Sequence, residues 1–304
     1  MKGHIYNVGI DVGGSHISSA LVDASCGSVL KESIREVKID SSGSIEHITG
    51  SLRTVLQMTV AGQEHPVESV GIAMPGPFDY PNGISLIKGV HKFDAIYGLN
   101  LKQIIRDSLP VDHIVFENDA VCFALGEHYA GAAKGTGRSL TVTLGTGFGS
   151  TFLIDGTAQT SGDGVPADGY LYNQPFENSI ADDYFSTRWF TGQWKDETGE
   201  CIAGVKEIAE QAQQNNRVAL RIFETFTDNL SGFIAPWLKR FEPEILVLGG
   251  SIARSSLLFM DRLRDKLIND GINQTVSACL LWDQAPIIGA AMNARSSKIN
   301  QKSN

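Results

Sequence analysis

Long apolar runs are missing from this 304-residue chain. No stretch approaches the ~20 residues that a membrane-spanning helix needs, so no membrane partner is expected. The opening MKGHIYNVGIDVGG lacks the extended apolar segment of a signal peptide and reads instead as a first strand, which makes a soluble, cytoplasmic protein the expectation. Cysteine is scarce. Cys26, Cys122, Cys201 and Cys279 stand far apart and match no CxxC or Cys/His spacing, so neither a disulfide framework nor a structural zinc is expected. A basic excess is also missing. Lys plus Arg is 25 against 34 Asp plus Glu, a formal net charge of −9, with no basic run that would mark a nucleic-acid partner. What is present is an ordinary globular balance, 42% hydrophobic and 19% charged. Disorder is expected at the Ser/Asn/Lys tail after Ala294.

Periodicity divides the chain into two similar halves. Residues 5–11 read as an apolar strand ending in Asp11-Val12-Gly13-Gly14-Ser15, followed by strands at 16–23 and 29–39. A helix is predicted over 45–61, a buried strand over 67–74 ending at Pro75-Gly76-Pro77, a helix over 100–109 and a strand over 113–117. That strand runs into Asn118-Asp119 and a helix over 119–132. The second half opens with a strand at 139–144, a glycine turn and a strand at 150–154. The irregular stretch 155–179 is long enough to suggest a functional loop. Helices are predicted at 180–194, 204–215 and 217–240, then a strand at 244–248, a helix from Gly249-Gly250-Ser251 to Asn269, a strand at 276–281 and a last helix at 286–296. The stripe Ile222, Phe223, Phe226, Leu230, Phe233, Ile234 and Trp237 suits a core face or a subunit interface. This plan, given twice, is that of two α/β domains. The boundary is set near 131–138, giving domains 1–134 and 135–304, with the last helix a candidate to pack back on the first domain.

Four segments could carry chemistry. In Asp11-Val12-Gly13-Gly14-Ser15, two glycines let backbone N–H groups approach an anion, and a carboxylate at a strand end suits Mg²⁺ beside a phosphate. Gly-Gly is equally a common hairpin pair. Gly145-Thr146-Gly147-Phe148-Gly149 lies between two strands with no helix after it, so it does not fit the dinucleotide fingerprint. Two such hairpins suggest one polyphosphate gripped from both sides. Gly249-Gly250 ends an apolar strand at a helix start and could hold a nucleotide, or could simply make a close strand-to-helix turn. Asp119 opens a helix: it is either an N-cap or an acceptor for the proton of an attacking hydroxyl.

The ordered set GIDVGGSHISSALVD, VGIAMPGPFDYPNGI, VFENDAVCFALGE, LTVTLGTGFGSTFLIDG and LVLGGSIA resembles the ROK family of sugar kinases and regulators, over roughly residues 5–295. The resemblance implies two actin-like (ribonuclease H-like) α/β domains flanking an ATP and sugar cleft. It implies ATP-dependent phosphorylation of a hexose or N-acetylated hexosamine hydroxyl, with Asp119 as general base. Asn118 and the Gly76 loop would meet the sugar. Asp11, Gly13, Gly14 and Ser15 would lie beside the phosphates and Mg²⁺, and Gly145, Thr146 and Gly147 would clasp the phosphates. Gly249 and Gly250 would line the nucleotide pocket. A homodimer is a family-level expectation. The alternative is a non-catalytic, sugar-responsive regulator, against which the early first strand leaves no room for a DNA-binding segment. A chaperone or filament role within the wider superfamily fares worse, because no peptide-binding segment is evident.

The sequence departs from the family after the second hairpin. Many members carry Glu-x-Gly-His and then zinc-binding cysteines, and neither is present here. Asp168 and Asp182 are the nearest replacements, either as sugar contacts or as exposed loop carboxylates. In Lys88-Gly89-Val90-His91-Lys92-Phe93, His91 reads as a surface residue. Lys88 and Lys92 suit an anionic or phosphorylated sugar, or plain solvation.

Overall fold

Strand β1 (Tyr6–Val12) pairs antiparallel with β2 (His16–Asp23), Val12 opposite Ile17, so that Asp11 stands one residue inside the turn. These strands belong to the first of two units in the computed structural model, which describes residues 5–62 and 65–303. One unit comprises Met1–Lys134 with Asp283–Asn304, the other Gly135–Trp282.

In the first unit β3 (Arg35–Lys38) joins the outer side of β2. The single strand expected over 29–39 does not form. Ser33 Oγ accepts the Leu21 N–H at 2.8 Å and donates to the Leu30 carbonyl at 2.6 Å. This short-range bonding folds Lys31–Ser33 into a 3-10 turn and leaves Val29 a single bridge to Val22. Helix α1 (Ile45–Val60) starts at Ser44, whose side chain accepts the His47 N–H, and buries Ile48, Leu52, Val55 and Leu56. Then come β4 (Val67–Met74), the short pair β5 (Phe78–Asp79) and β6 (Ile84–Ser85), α2 (Leu101–Arg106), β7 (Ile114–Asn118) and α3 (Asp119–Ala130). The sheet order is β3-β2-β1-β4-β7. Asp11 lies opposite Ala73, and Met74 opposite Asn118. The carboxyl ends of three parallel strands therefore finish together, the usual place for a ligand in an α/β sheet.

The second unit runs β8 (Arg138–Leu144), β9 (Phe148–Ile154), β10 (Thr157–Gln159), β11 (Pro175–Phe176), β12 (Ser179–Ile180), α4 (Ala181–Tyr184), α5 (Thr187–Thr198), α6 (Val205–Gln213), α7 (Arg217–Phe241), β13 (Ile245–Gly249), α8 (Met260–Asn269) and β14 (Thr275–Ala278). Its main sheet is β10-β9-β8-β13-β14. The helix expected over 180–194 is broken in two. Phe185 turns into the core and Ser186 is extended (φ −117, ψ 165), which brings Thr187 to Gly145. The helix expected to follow Gly249-Gly250-Ser251 up to Asn269 begins instead as a 3-10 stretch, Ile252–Leu258, kinked at Ser255; α8 starts only after the buried Phe259. The α7 stripe is core, with Trp237 half-buried at its edge.

Helix α9 (Ala285–Ser303) belongs to the first unit and runs past the disorder expected after Ala294. Lys298 Nζ reaches the Glu68 carbonyl at 3.2 Å and its carboxylate at 3.7 Å, which ties down that end. A Cβ at Gly9 would run into the Ile287 carbonyl, and one at Gly71 into the Ala290 carbonyl. The two glycines let α9 lie directly on β1 and β4. Among the described residues no helix is long and apolar enough to cross a membrane.

Candidate active site

At the sheet edge of the first unit, Gly13 N–H closes the hairpin onto the His16 carbonyl at 2.9 Å, and Gly14 and Ser15 are exposed at its tip. Ser15 Oγ sits 3.0 Å from His16 Nδ1. Below the tip, burial pushes the Asp11 carboxyl up to about 7, with further contributions from the Asp119 and Asp283 charges.

Asn118, and not Asp119, takes the capping role that the sequence left open. Asn118 is the N-cap of α3: its Oδ1 accepts the N–H of Ala120 at 3.0 Å and of Val121 at 3.3 Å. Asp119 is the first helical residue. It is exposed at its tip, but the protein massed behind it removes enough water to raise its carboxyl above the usual range. The Ala120 N–H, at 2.9 Å from Oδ1, pulls in the opposite direction. Burial also raises Glu117, while its bond from the Asn118 N–H at 2.9 Å opposes the rise. Tyr80 ties the end of β4 to Asn118. Its hydroxyl donates to the Met74 carbonyl at 3.1 Å and takes a hydrogen bond from Asn118 Nδ2 at 3.2 Å. Gly76 is exposed beside it, where a Cβ would come 3.3 Å from the Tyr80 hydroxyl.

In the second unit, Thr146 and Gly147 are exposed at the tip of the β8–β9 hairpin. Gly145 N–H donates to the Gly147 carbonyl at 3.0 Å, and Thr187 donates to the Gly145 carbonyl from its N–H at 2.7 Å and its hydroxyl at 3.0 Å. Asp182 braces the far side, accepting the Phe148 N–H at 2.7 Å and Arg188 Nη2 at 2.8 Å. The Phe148 ring packs 5.2 Å from Phe185 and 5.8 Å from Phe233. Gly249 lies opposite Thr143, and Gly250 has φ +84 where a Cβ would overlap the Leu144 carbonyl. The two glycine segments of this unit are thus neighbours. Beside them opens a cavity of about 580 Å³ lined by Thr187, Val205, Lys206, Glu207, Ser251 and Arg254. The Arg254 guanidinium stands 4.8 Å over the Trp282 ring.

The oxygen donors of Asp11 suit a hard cation, and its carboxyl, raised mainly by burial and further by the Asp119 and Asp283 charges, would be favoured in its ionised form by a cation bound there. Among the described residues no three His, Cys, Asp or Glu side chains form a metal-ligand set. This donor set therefore fits Mg²⁺ that shares its coordination with phosphate oxygens, and not a fully protein-ligated ion.

The sequence profile of the ROK family matches residues 7–297. The chain belongs to the ROK family. Among relatives, a glucokinase of Thermotoga maritima is 29% identical over 93% of this chain and 95% of its own length. An N-acetyl-D-glucosamine kinase of Haemophilus influenzae is 26% identical over 83% of this chain and 86% of its own. A ROK family glucokinase of Streptomyces griseus, solved with glucose and AMPPNP, shares the fold with a TM-score of 0.75 at 24% identity, covering 96% of this chain and 99% of that one.

Within this ROK fold, Asp11, Gly13, Gly14, Ser15, Gly76, Asn118 and Asp119 gather at the carboxyl end of one sheet. Gly145, Thr146, Gly147, Gly249 and Gly250 gather in the second unit. Asp182 joins that second group as a brace, its oxygens already engaged by protein. Asp168 stands apart on an exposed left-handed turn (φ 60, ψ 7). Tyr80, Thr187 and Asp283 were not legible as site residues: each lies outside a glycine motif, and only folding brings it to one.

Proposed function

We propose that this ROK protein transfers the γ-phosphoryl group of ATP to a hydroxyl of a hexose or an N-acetylated hexosamine. The observation that carries the reading is Asp119. It stands at a strand end with its tip exposed and its carboxyl raised, while the neighbouring Asn118 does the capping that an aspartate there would otherwise do. The names of the relatives, sugar kinases of two hexose types, support the same reading.

In this mechanism Asp119 accepts the proton of the attacking hydroxyl as its oxygen bonds to the γ-phosphorus, and the bond to the bridging oxygen of ADP breaks. A base with a raised pKa holds that proton better than an ordinary aspartate would. Asn118 keeps one amide N–H beyond its bond to Tyr80, and this N–H is assigned to a sugar oxygen. The Tyr80 bridge and the Gly76 loop hold that side in shape. Gly13 and Gly145 spend their own N–H groups closing their hairpins, so in each unit taken by itself the candidate donors to phosphate are the tip residues, Gly14 and Ser15 in the first and Thr146 and Gly147 in the second. Gly249 and Gly250 give the nucleotide a flat wall beside the cavity at Arg254. Asp11 would hold Mg²⁺, which when bound neutralises charge on the phosphate oxygens. Asp182 is assigned to bracing the phosphate hairpin, and the exposed Asp168 is given no part in the transfer.

The test is ADP release with Mg·ATP against a panel of hexoses and N-acetylhexosamines, in wild type and Asp119→Asn. Sugar-dependent turnover that the variant loses supports the reading. Equal turnover in both removes Asp119 as the base. Binding of sugar without turnover favours the regulator.

A further inference from the structure

Lys92 lies over the Gly13-Gly14 hairpin. Its Nζ is 3.6 Å from where a Cβ of Gly14 would stand, and its Cδ and Cε are each 3.8 Å from that point. Sequence distance gives no reason for this contact, and the backbone holds it by unusual means. His91 and Phe93, on either side of Lys92, both have left-handed φ, 57 and 59. A bulky residue such as phenylalanine rarely takes that conformation. Here Phe93 is anchored twice, by a ring that is 2% exposed and by its N–H donating to the Ser41 carbonyl at 2.6 Å. Asp94 fixes the other side of the loop, accepting the Gly89 N–H at 2.5 Å and the His91 N–H at 3.0 Å. Strained backbone of this kind clusters at functional sites.

The charge at Lys92 has no protein counterpart: no carboxylate among the described residues pairs with its ammonium. Lys88, in the same loop, is by contrast engaged, 4.9 Å over the Tyr97 ring. The charges that act on Asp11 below the hairpin, those of Asp119 and Asp283, are negative. A polyphosphate at that hairpin brings more negative charge, and its transfer step depends on neutralising it.

We propose that Lys92 is a catalytic residue that contacts the γ-phosphoryl oxygens of the donor nucleotide. The inference rests on the sugar-kinase reading and adds a side-chain cation to its backbone donors. As the bond from phosphorus to the sugar oxygen forms and the bond to the ADP oxygen breaks, the ADP oxygen keeps the bonding electron pair. The hydroxyl proton goes to Asp119, and Lys92 stays protonated throughout.

The experiment measures equilibrium affinity for Mg·AMPPNP, Mg·ADP and sugar in wild type, Lys92→Met, Lys92→Arg and Lys88→Met, alongside steady-state kinetics. A charge-assisted contact to the γ-phosphate predicts that Lys92→Met weakens AMPPNP binding by about ten- to a hundredfold. ADP and sugar affinities stay unchanged, kcat falls, Lys92→Arg recovers part of the loss, and Lys88→Met matches wild type. Equal weakening of AMPPNP and ADP, weakening of sugar alone, or no change in any ligand overturns the inference while leaving the kinase reading intact. A wild-type protein that binds no AMPPNP overturns both.

Discussion

The N–H of Phe148 donates to Asp182 Oδ1 at 2.7 Å across 34 residues of chain, and the other oxygen of that carboxylate takes Arg188 at 2.8 Å. One side chain thereby fixes where β9 begins and how the Gly145-Thr146-Gly147 tip is presented. Asp182→Ala leaves a part-buried N–H without its acceptor and is expected to lower stability by ~1–3 kcal/mol and to weaken nucleotide binding. Arg188→Ala removes a partner that is 62% exposed and is expected to cost under ~1 kcal/mol. Urea titration of the two variants checks the order, and equal costs would contradict the bracing role.

Asn118 and Asp119 are adjacent but are expected to fail differently. Asn118→Ala removes the cap of α3 and should cost ~0.5–2 kcal/mol in denaturation. Asp119→Asn leaves that cap in place and should unfold close to wild type, with kcat reduced by ~10²–10⁴-fold and AMPPNP binding retained. A large stability loss in Asp119→Asn would return the capping role to that residue.

Two glycine-to-alanine changes in the second unit should have opposite signs. Gly250 has φ +84 and its missing Cβ would overlap the Leu144 carbonyl, so alanine is expected to cost well over ~1 kcal/mol and to displace the β8 end. Gly192, inside α5, has nothing within 4 Å of its missing Cβ, and alanine there is expected to stabilise by ~0.5–1 kcal/mol. Thermal unfolding of both separates steric need from mere flexibility.

The raised carboxyls set two pH dependences. Asp119 must be ionised to accept a proton, so kcat/KM is expected to rise with pH through a midpoint above the ordinary aspartate value of 3.8. Asp11 titrates near 7 when folded and near 3.8 when unfolded. Between those values the native state keeps a proton that the unfolded chain has released. The contribution of Asp11 to stability therefore falls as pH rises from 3.8 to about 7. Asp11→Asn should flatten that slope in urea unfolding of the ligand-free protein, and parallel curves for variant and wild type would show that the Asp11 carboxyl is not raised.

The glycine hairpins, the long amphipathic helices and the strand ending at Asn118 were legible because each is a local pattern. The 3-10 turn at Lys31–Ser33 was not, since it depends on Ser33 finding Leu21 across a neighbouring strand. The break between α4 and α5 escaped for a similar reason: Phe185 leaves the helix to fill an aromatic cluster that includes Phe148, Phe226 and Phe233. The continuation of α9 to Ser303 was hidden by a polar composition that reads as a tail until Lys298 meets Glu68.

The sequence by itself determined the order of elements and the family, because periodicity, turn residues and ordered motifs are properties of the chain read along its length. It also marked Asp11, Asp119 and the paired glycines as candidates. Only the tertiary structure decided that Asn118, and not Asp119, caps α3, that Asp182 braces a hairpin, and that Lys92 rests over Gly14. Those assignments turn on which hydrogen-bond and charge partners arrive from distant segments, and partner distances exist only once the chain is folded.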